Sequence, residues 1–117
     1  MPTIRDLVSA LRRRDGVQAA IVLGRDGLLI DGAVEQSFDA EGLAAHVPPL
    51  ITAAAELGLT SHRGELGLVV MEYNGGIAVA ASVSADALLL ILLAPSANLA
   101  ALLYDLRRHR AQIAALV

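Results

Sequence analysis

Three histidines, His46, His62 and His109, together with twelve Asp and Glu, are the residues that could hold a metal or move a proton. A metal centre needs several ligands that converge, and motif-borne sites pair histidines at i, i+4 on one helix face. These histidines stand far apart with no such pairing, so they are read as surface or partner-facing groups. His109, inside Arg107-Arg108-His109-Arg110, reads as part of a solvated basic patch. Gly24-Arg25-Asp26-Gly27 has the look of a phosphate loop. Phosphate loops, however, lead into helix N-termini, and this one joins two apolar strand-like runs. It is read as a turn. All nine basic side chains are arginine, so the Gly-Lys-Ser/Thr ending of a P-loop cannot occur. Cysteine is absent, which excludes thiol catalysis, disulfides and thiolate metal sites. Ser, His and Asp are present, but no G-x-S-x-G elbow presents a nucleophile. The expectation is a protein without catalytic residues, metal or cofactor, acting through what it binds.

The composition says something about the binding. A chain of 117 residues makes one domain, spanning residues 1–117. It is 56% hydrophobic, with a mean hydropathy of +0.60. A domain this small leaves much of its surface exposed, so that much apolar content exceeds what one core hides. The surplus predicts a covered partner surface, most simply a homodimer. Net charge is −3, with one Phe, two Tyr and no Trp. Few stacking platforms and an acidic balance argue against nucleic acid. Residues 1–16 and 96–117 each carry +2, while residues 17–95 carry −7, so basic terminal helices flank an acidic body. The longest aliphatic run, Ala87 to Ala94, is far short of the roughly 20 residues that span a bilayer, so no membrane insertion is expected. Arg5 and Asp6 interrupt any leader-like apolar stretch, and a cytoplasmic location is the expectation.

The elements that carry such a surface follow from periodicity. Ile4, Leu7, Val8 and Leu11 stripe a first helix from Ile4 to Asp15, capped by Thr3 with Asp6 three residues on, and ended by Gly16. The stretch VQAAIVLGRDGLLIDG from Val17 to Gly32 reads as two strands, Val17–Leu23 and Leu28–Ala33. The turn between them is one in which Asp26-Gly27 supplies positive dihedrals. A second helix is predicted from Asp39 to Leu57, capped by Ser37 or Asp39, with Leu43, Val47, Leu50, Ile51 and Ala54 as its stripe and Gly58 as its stop. Pro48-Pro49 must kink it or divide it, because an interior proline loses a hydrogen bond and clashes with the preceding turn. Strands Glu65–Tyr73, Ile77–Val83 and Ala87–Leu93 follow, with a turn at Asn74-Gly75-Gly76. Pro95-Ser96 starts a third helix striped by Leu99, Leu102, Leu103, Leu106 and Ile113, with Asp105 and Arg108 paired on its outer side. The order is α-β-β-α-β-β-β-α. The fold class is α/β in the broad sense, an α+β three-layer domain. A five-stranded, mainly antiparallel sheet has the first and third helices on one face and the second on the other.

This order, and the local motifs within it, resemble the Roadblock/dynein light chain family. The motifs are the Gly16–Ile30 hairpin, the Leu- and Ala-rich Asp39–Leu57 helix, the Tyr73–Ile77 glycine turn and the Ala87–Leu116 ending. The resemblance covers nearly the whole chain. It implies a homodimer whose sheets join edge to edge through the third strand, with both copies of the second helix alongside. On that reading the dimer interface takes Leu43, Val47, Leu50, Ile51 and Ala54 from the helix and Leu66, Leu68 and Val70 from the strand.

The resemblance also implies a regulatory or scaffolding role rather than turnover. Stand-alone bacterial members look like partners of Ras-like small GTPases, including gliding-motility polarity regulators, and alter the GTPase nucleotide cycle. Arg63, in the loop before the third strand, is the candidate contact to such a partner's phosphate. Two other readings stand beside this one: a structural scaffold in a signalling or motility complex without effect on GTP turnover, and a small-molecule sensor, which needs a pocket with convergent polar groups. Pro48-Pro49 departs from the family pattern at the dimer helix.

Overall fold

Thr3 and Asp6 begin the fold as their spacing predicts. In the computed structural model, which describes residues 2–116, the Asp6 N–H donates to Thr3 Oγ1 (3.1 Å) and the Thr3 N–H donates to Asp6 Oδ2 (3.0 Å). This reciprocal box opens α1 (Ile4–Arg12). The helix ends a turn before Asp15, with Arg13 as its C-cap. The chain then turns through Gly16, at φ +83°, into β1 (Val17–Gly24).

β1 and β2 (Leu29–Val34) form the expected hairpin with different turn chemistry. Gly27 alone takes a positive φ, +88°; Asp26 does not. The Gly27 N–H donates to the Gly24 carbonyl and the Gly24 N–H to the Leu28 carbonyl. This is the three-residue loop with a left-handed glycine, not a two-residue primed turn.

The long second helix is two helices, α2 (Ala40–Ala45) and α3 (Val47–Thr60), divided at His46. Pro48 and Pro49 sit in the first turn of α3, where the missing N–H costs nothing. Asp39 is the N-cap of α2 by position, without a side-chain capping bond. Gly58 does not stop α3. It lies inside the last turn, where an added Cβ would come within 3.0 Å of the Gly64 carbonyl oxygen.

β3 (Leu68–Tyr73) starts three residues later than its apolar run implies. It pairs with β4 (Gly76–Ser82) across Asn74-Gly75, and β5 (Ala87–Leu93) has its expected bounds. The last helix begins at Leu99, not at Pro95-Ser96, because the Asn98 side chain accepts from the Ala101 N–H (3.1 Å). It breaks at His109 into α4 (Leu99–Arg108) and α5 (Arg110–Ala114). Asp105 pairs with Arg14 rather than Arg108.

The sheet runs β2-β1-β5-β4-β3, and every ladder is antiparallel. Alternation feeds two cores. Val17, Ala20 and Val22 of β1, Val79 of β4, and Leu89, Ile91 and Leu93 of β5 meet Val8 and Leu11 of α1, Leu102 and Leu106 of α4 and Ile113 of α5. Ile21, Leu23, Ala78, Ala80, Leu88 and Leu90 meet Ala44, Val47 and Ile51 on the other face. The layers are therefore those expected, a five-stranded sheet with α1 and α4–α5 on one side and α2–α3 on the other.

One detail of β1 departs from simple alternation. Strict alternation would place Val17 with Ala19 and Ile21. A bulge between Val17 and Ala19 instead turns Val17 toward the face of Ala20 and Val22. The central strands are apolar on both faces because both are covered. Fully burying a side chain such as Ile21 or Ile91 contributes about 1.5–3 kcal/mol.

Candidate interaction surface

Edge strands carry unpaired backbone groups, and proteins normally blunt them with bulges, prolines or lysines. The two edges here differ. β2 is irregular. Its register against β1 shifts between Val22 and Leu23, leaving Ile30 as the extra residue. Asp31 on β2 is engaged by Arg5 of α1 (2.8 Å). β3 is regular. Its six residues pair one to one with β4 from Leu68↔Ala81 to Tyr73↔Gly76, without a bulge. Its sequence, LVVMEY, holds one charge and neither proline nor lysine. Val70 and Tyr73 are exposed on it. A flat, apolar, unblunted edge is a template for another strand.

α3 lies over β4 and β5, next to that edge. Val47 and Ile51 are its sheet-facing residues. Its outer side mixes exposed Thr52, Glu56 and Thr60 with large exposed apolar residues. Glu56 is the single charged residue between Val47 and Thr60, and Leu57 (68%) and Leu59 (63%) stand in solvent. Large apolar side chains exposed together on a surface helix mark an interaction surface.

The predicted interface residues therefore fall into groups. Val47 and Ile51 are consumed by the subunit's own core and have no surface to present. Leu43, Leu50 and Leu66 are half-buried against that core, and Ala54 is half-buried on α3. Leu68 is half-buried and lies on the α4–α5 side of the sheet, beside Leu89 and Leu106. Val70, two residues on, shares that side by strand alternation, while Val69 and Met71 pack toward α3. The helix residues and Leu66 thus flank one face of the sheet edge, and Leu68 and Val70 the other. The sequence stripe did not single out Leu57, Leu59 or Tyr73; the signal was present in apolar residues off the stripe of α3.

Arg63 is held at the end of α3. The Arg63 N–H donates to the Gly58 carbonyl (2.7 Å) and the His62 N–H to the Leu59 carbonyl (3.1 Å). These two bonds close the helix in a Schellman motif with His62 at the left-handed position, φ +60°. Arg63 is exposed and makes no ion pair among the described residues. The motif fixes the backbone of Arg63 at the end of the helix.

His46 Nδ1–H donates to the Gly42 carbonyl (2.7 Å), and His109 Nδ1–H to the Asp105 carbonyl (3.0 Å). Each histidine thus serves a helix break. Among the described residues no group of three or more His, Asp or Glu is gathered as metal ligands. No helix among them is long and apolar enough to cross a membrane.

Comparison with known proteins places this geometry. The Roadblock/LC7 domain model matches residues 3–93. The structure is similar to a Roadblock/LC7 domain from Streptomyces avermitilis, with a TM-score of 0.81 at 22% identity over 97% of this chain and 93% of that one. It is similar to the gliding protein MglB from Thermus thermophilus, with a TM-score of 0.81 at 16% identity over 96% and 86%. An MglB described in a tetrameric arrangement aligns with a TM-score of 0.82 at 16% identity over 96% and 85%. No curated protein sequence matches the chain. The family model covers well over half of the sequence, from α1 to the end of β5, and the shared fold extends through α5. The chain belongs to the Roadblock/LC7 family.

Proposed function

We propose that the chain is a non-enzymatic homodimeric regulator that binds a Ras-like small GTPase and modulates its nucleotide cycle. The observation that carries the reading is the pairing of an unblunted apolar edge, β3, with an α3 that exposes Leu57 and Leu59. A second copy covers both at once. Strand β3 of each protomer extends the partner's sheet by backbone hydrogen bonds, which need no particular side-chain face. Leu43, Leu50, Ala54 and Leu66 flank the joint on the α3 side, and Leu68 and Val70 flank it on the other. Val47 and Ile51 hold α3 in place from beneath.

Family membership and the likeness to MglB, a gliding protein, support this partner class. A lysine-free chain supplies no P-loop of its own, which fits a protein that acts on another's nucleotide site. Arg63 is the contact toward that partner. The role is regulatory and the site of action is the cytoplasm.

Affinity capture from lysate of the native organism, with GDP or a non-hydrolysable GTP analogue present, tests this. Retention of a small GTPase in one nucleotide state, and a changed rate of its nucleotide release or hydrolysis on adding the purified chain, is the expected result. No retained GTPase in either state contradicts the proposal. Retention with unaltered rates favours the scaffold reading instead.

A further inference from the structure

On the side of the sheet away from α3, a cleft of about 300 Å³ opens between strands β3–β4 and helices α4–α5. Its floor is apolar, formed by Leu68, Leu89, Leu106 and Ile113. Arg107 and Arg110, both exposed, stand on its helical rim. Neither makes an ion pair among the described residues, whose ion pairs are Arg5 with Asp31 and Arg14 with Asp105. The Arg110 guanidinium leans across the mouth, 3.8 Å from where a Cβ on Gly67 would lie. Ser82, on the strand wall, is already engaged by Arg25, and no carboxylate lines the cleft. The site therefore offers an apolar slot and two free cations on one side of it.

That arrangement selects a ligand with two parts. The size is at the lower end of small-molecule sites, about 300–1,000 Å³, which suits a compact ligand and not a folded partner. A guanidinium presents a planar fork that matches a carboxylate and is less strongly hydrated than an ammonium. We propose that this cleft binds an aliphatic monocarboxylate, its tail on Leu68, Leu89, Leu106 and Ile113 and its carboxylate between Arg107 and Arg110. α4 and α5, which supply the cations, lie beyond the residues matched by the family model. The cleft lies on the face of the sheet away from α3 and shares only Leu68 with the proposed β3 joint, so decanoate binding and GTPase binding are read out separately.

Decanoate is the probe. Calorimetric titration of the native chain should give saturable binding of one decanoate per chain, and ¹H–¹⁵N spectra should shift at Leu68, Leu89 and Arg110 but not at Leu57 or Leu59. Decanol, equal in tail length, should bind at least tenfold more weakly. The R107Q/R110Q variant removes two exposed charges and leaves the core intact, which circular dichroism verifies. It should lose at least tenfold in decanoate affinity with decanol binding unchanged. Absence of saturable binding to the native chain overturns the proposal, as does equal affinity for decanoate and decanol. Co-sedimentation with phosphatidylglycerol vesicles in place of decanoate binding also overturns it, by assigning the arginines to a lipid surface.

Discussion

Arg14 Nη1 lies 2.6 Å from Asp105 Oδ2, tying the turn after α1 to the middle of α4 across 91 residues of sequence. The pair joins the two helices that share one face of the sheet. Both side chains remain about a third exposed, at 32% and 41%, so solvent screens them and their coupling is small. A double-mutant cycle of Arg14→Ala and Asp105→Ala, followed by urea denaturation, should give a coupling of about 0.5 kcal/mol that shrinks in high salt. A coupling of zero at low salt would mean that the helices are held by Val8, Leu11, Leu102 and Leu106 alone.

His62 occupies the left-handed position that closes α3, where glycine has no steric penalty. A non-glycine residue there costs about 1–2 kcal/mol, part of which a glycine's extra freedom in the unfolded chain offsets. His62→Gly should raise stability by about 0.5–1 kcal/mol in urea denaturation. An unchanged or lowered midpoint would remove the Schellman closure as the source of α3's end, and with it the fixed position of Arg63.

Gly16 makes a close approach of a different kind. At φ +83°, an added Cβ would fall 2.6 Å from the Ala97 Cβ, and the Gly16 carbonyl accepts from the Ala94 N–H (2.7 Å). Gly16→Ala should therefore cost about 2 kcal/mol or more, since strain and overlap act together. Thermal denaturation measures it; a loss within about 0.5 kcal/mol, as at an ordinary surface position, would contradict the packing of the α1–β1 turn on the loop before α4.

Arg63→Glu reverses a charge rooted at the end of α3 without touching either core. The variant should stay dimeric and lose at least tenfold in affinity for the GTPase, measured by titration calorimetry. Unaltered binding would remove Arg63 from the contact.

The strands were legible because each is a short apolar run bounded by turn residues, and β5 was readable residue for residue from Ala87 to Leu93. The breaks were less so. Pro48-Pro49 announced a division, but its place at His46 depends on prolines settling into a first turn. The break at His109 carries no proline or glycine to mark it. Asp105 had a neighbour in sequence, Arg108, and a neighbour in space, Arg14; local spacing sees only the first. Val47 and Ile51 look like any stripe residues, and which helix face meets the sheet and which meets a partner is a tertiary matter. The cleft beneath Arg107 and Arg110 was invisible for the same reason. Its cations come from the helices and much of its floor from the strands, and only the i, i+3 spacing of the two arginines hinted that they share a side.

In the proposed dimer, β3 of one copy pairs with β3 of another. Equilibrium sedimentation of the native chain beside Val70→Asp tests it most directly, with circular dichroism to confirm that the variant is folded. Val70 is 40% exposed on that edge, so an aspartate there is tolerated by an isolated subunit but repels its own copy across a symmetric joint. The native chain should sediment at twice 12.1 kDa and folded Val70→Asp at 12.1 kDa. A native chain that stays at 12.1 kDa at high concentration, or a folded variant that remains dimeric, would contradict it.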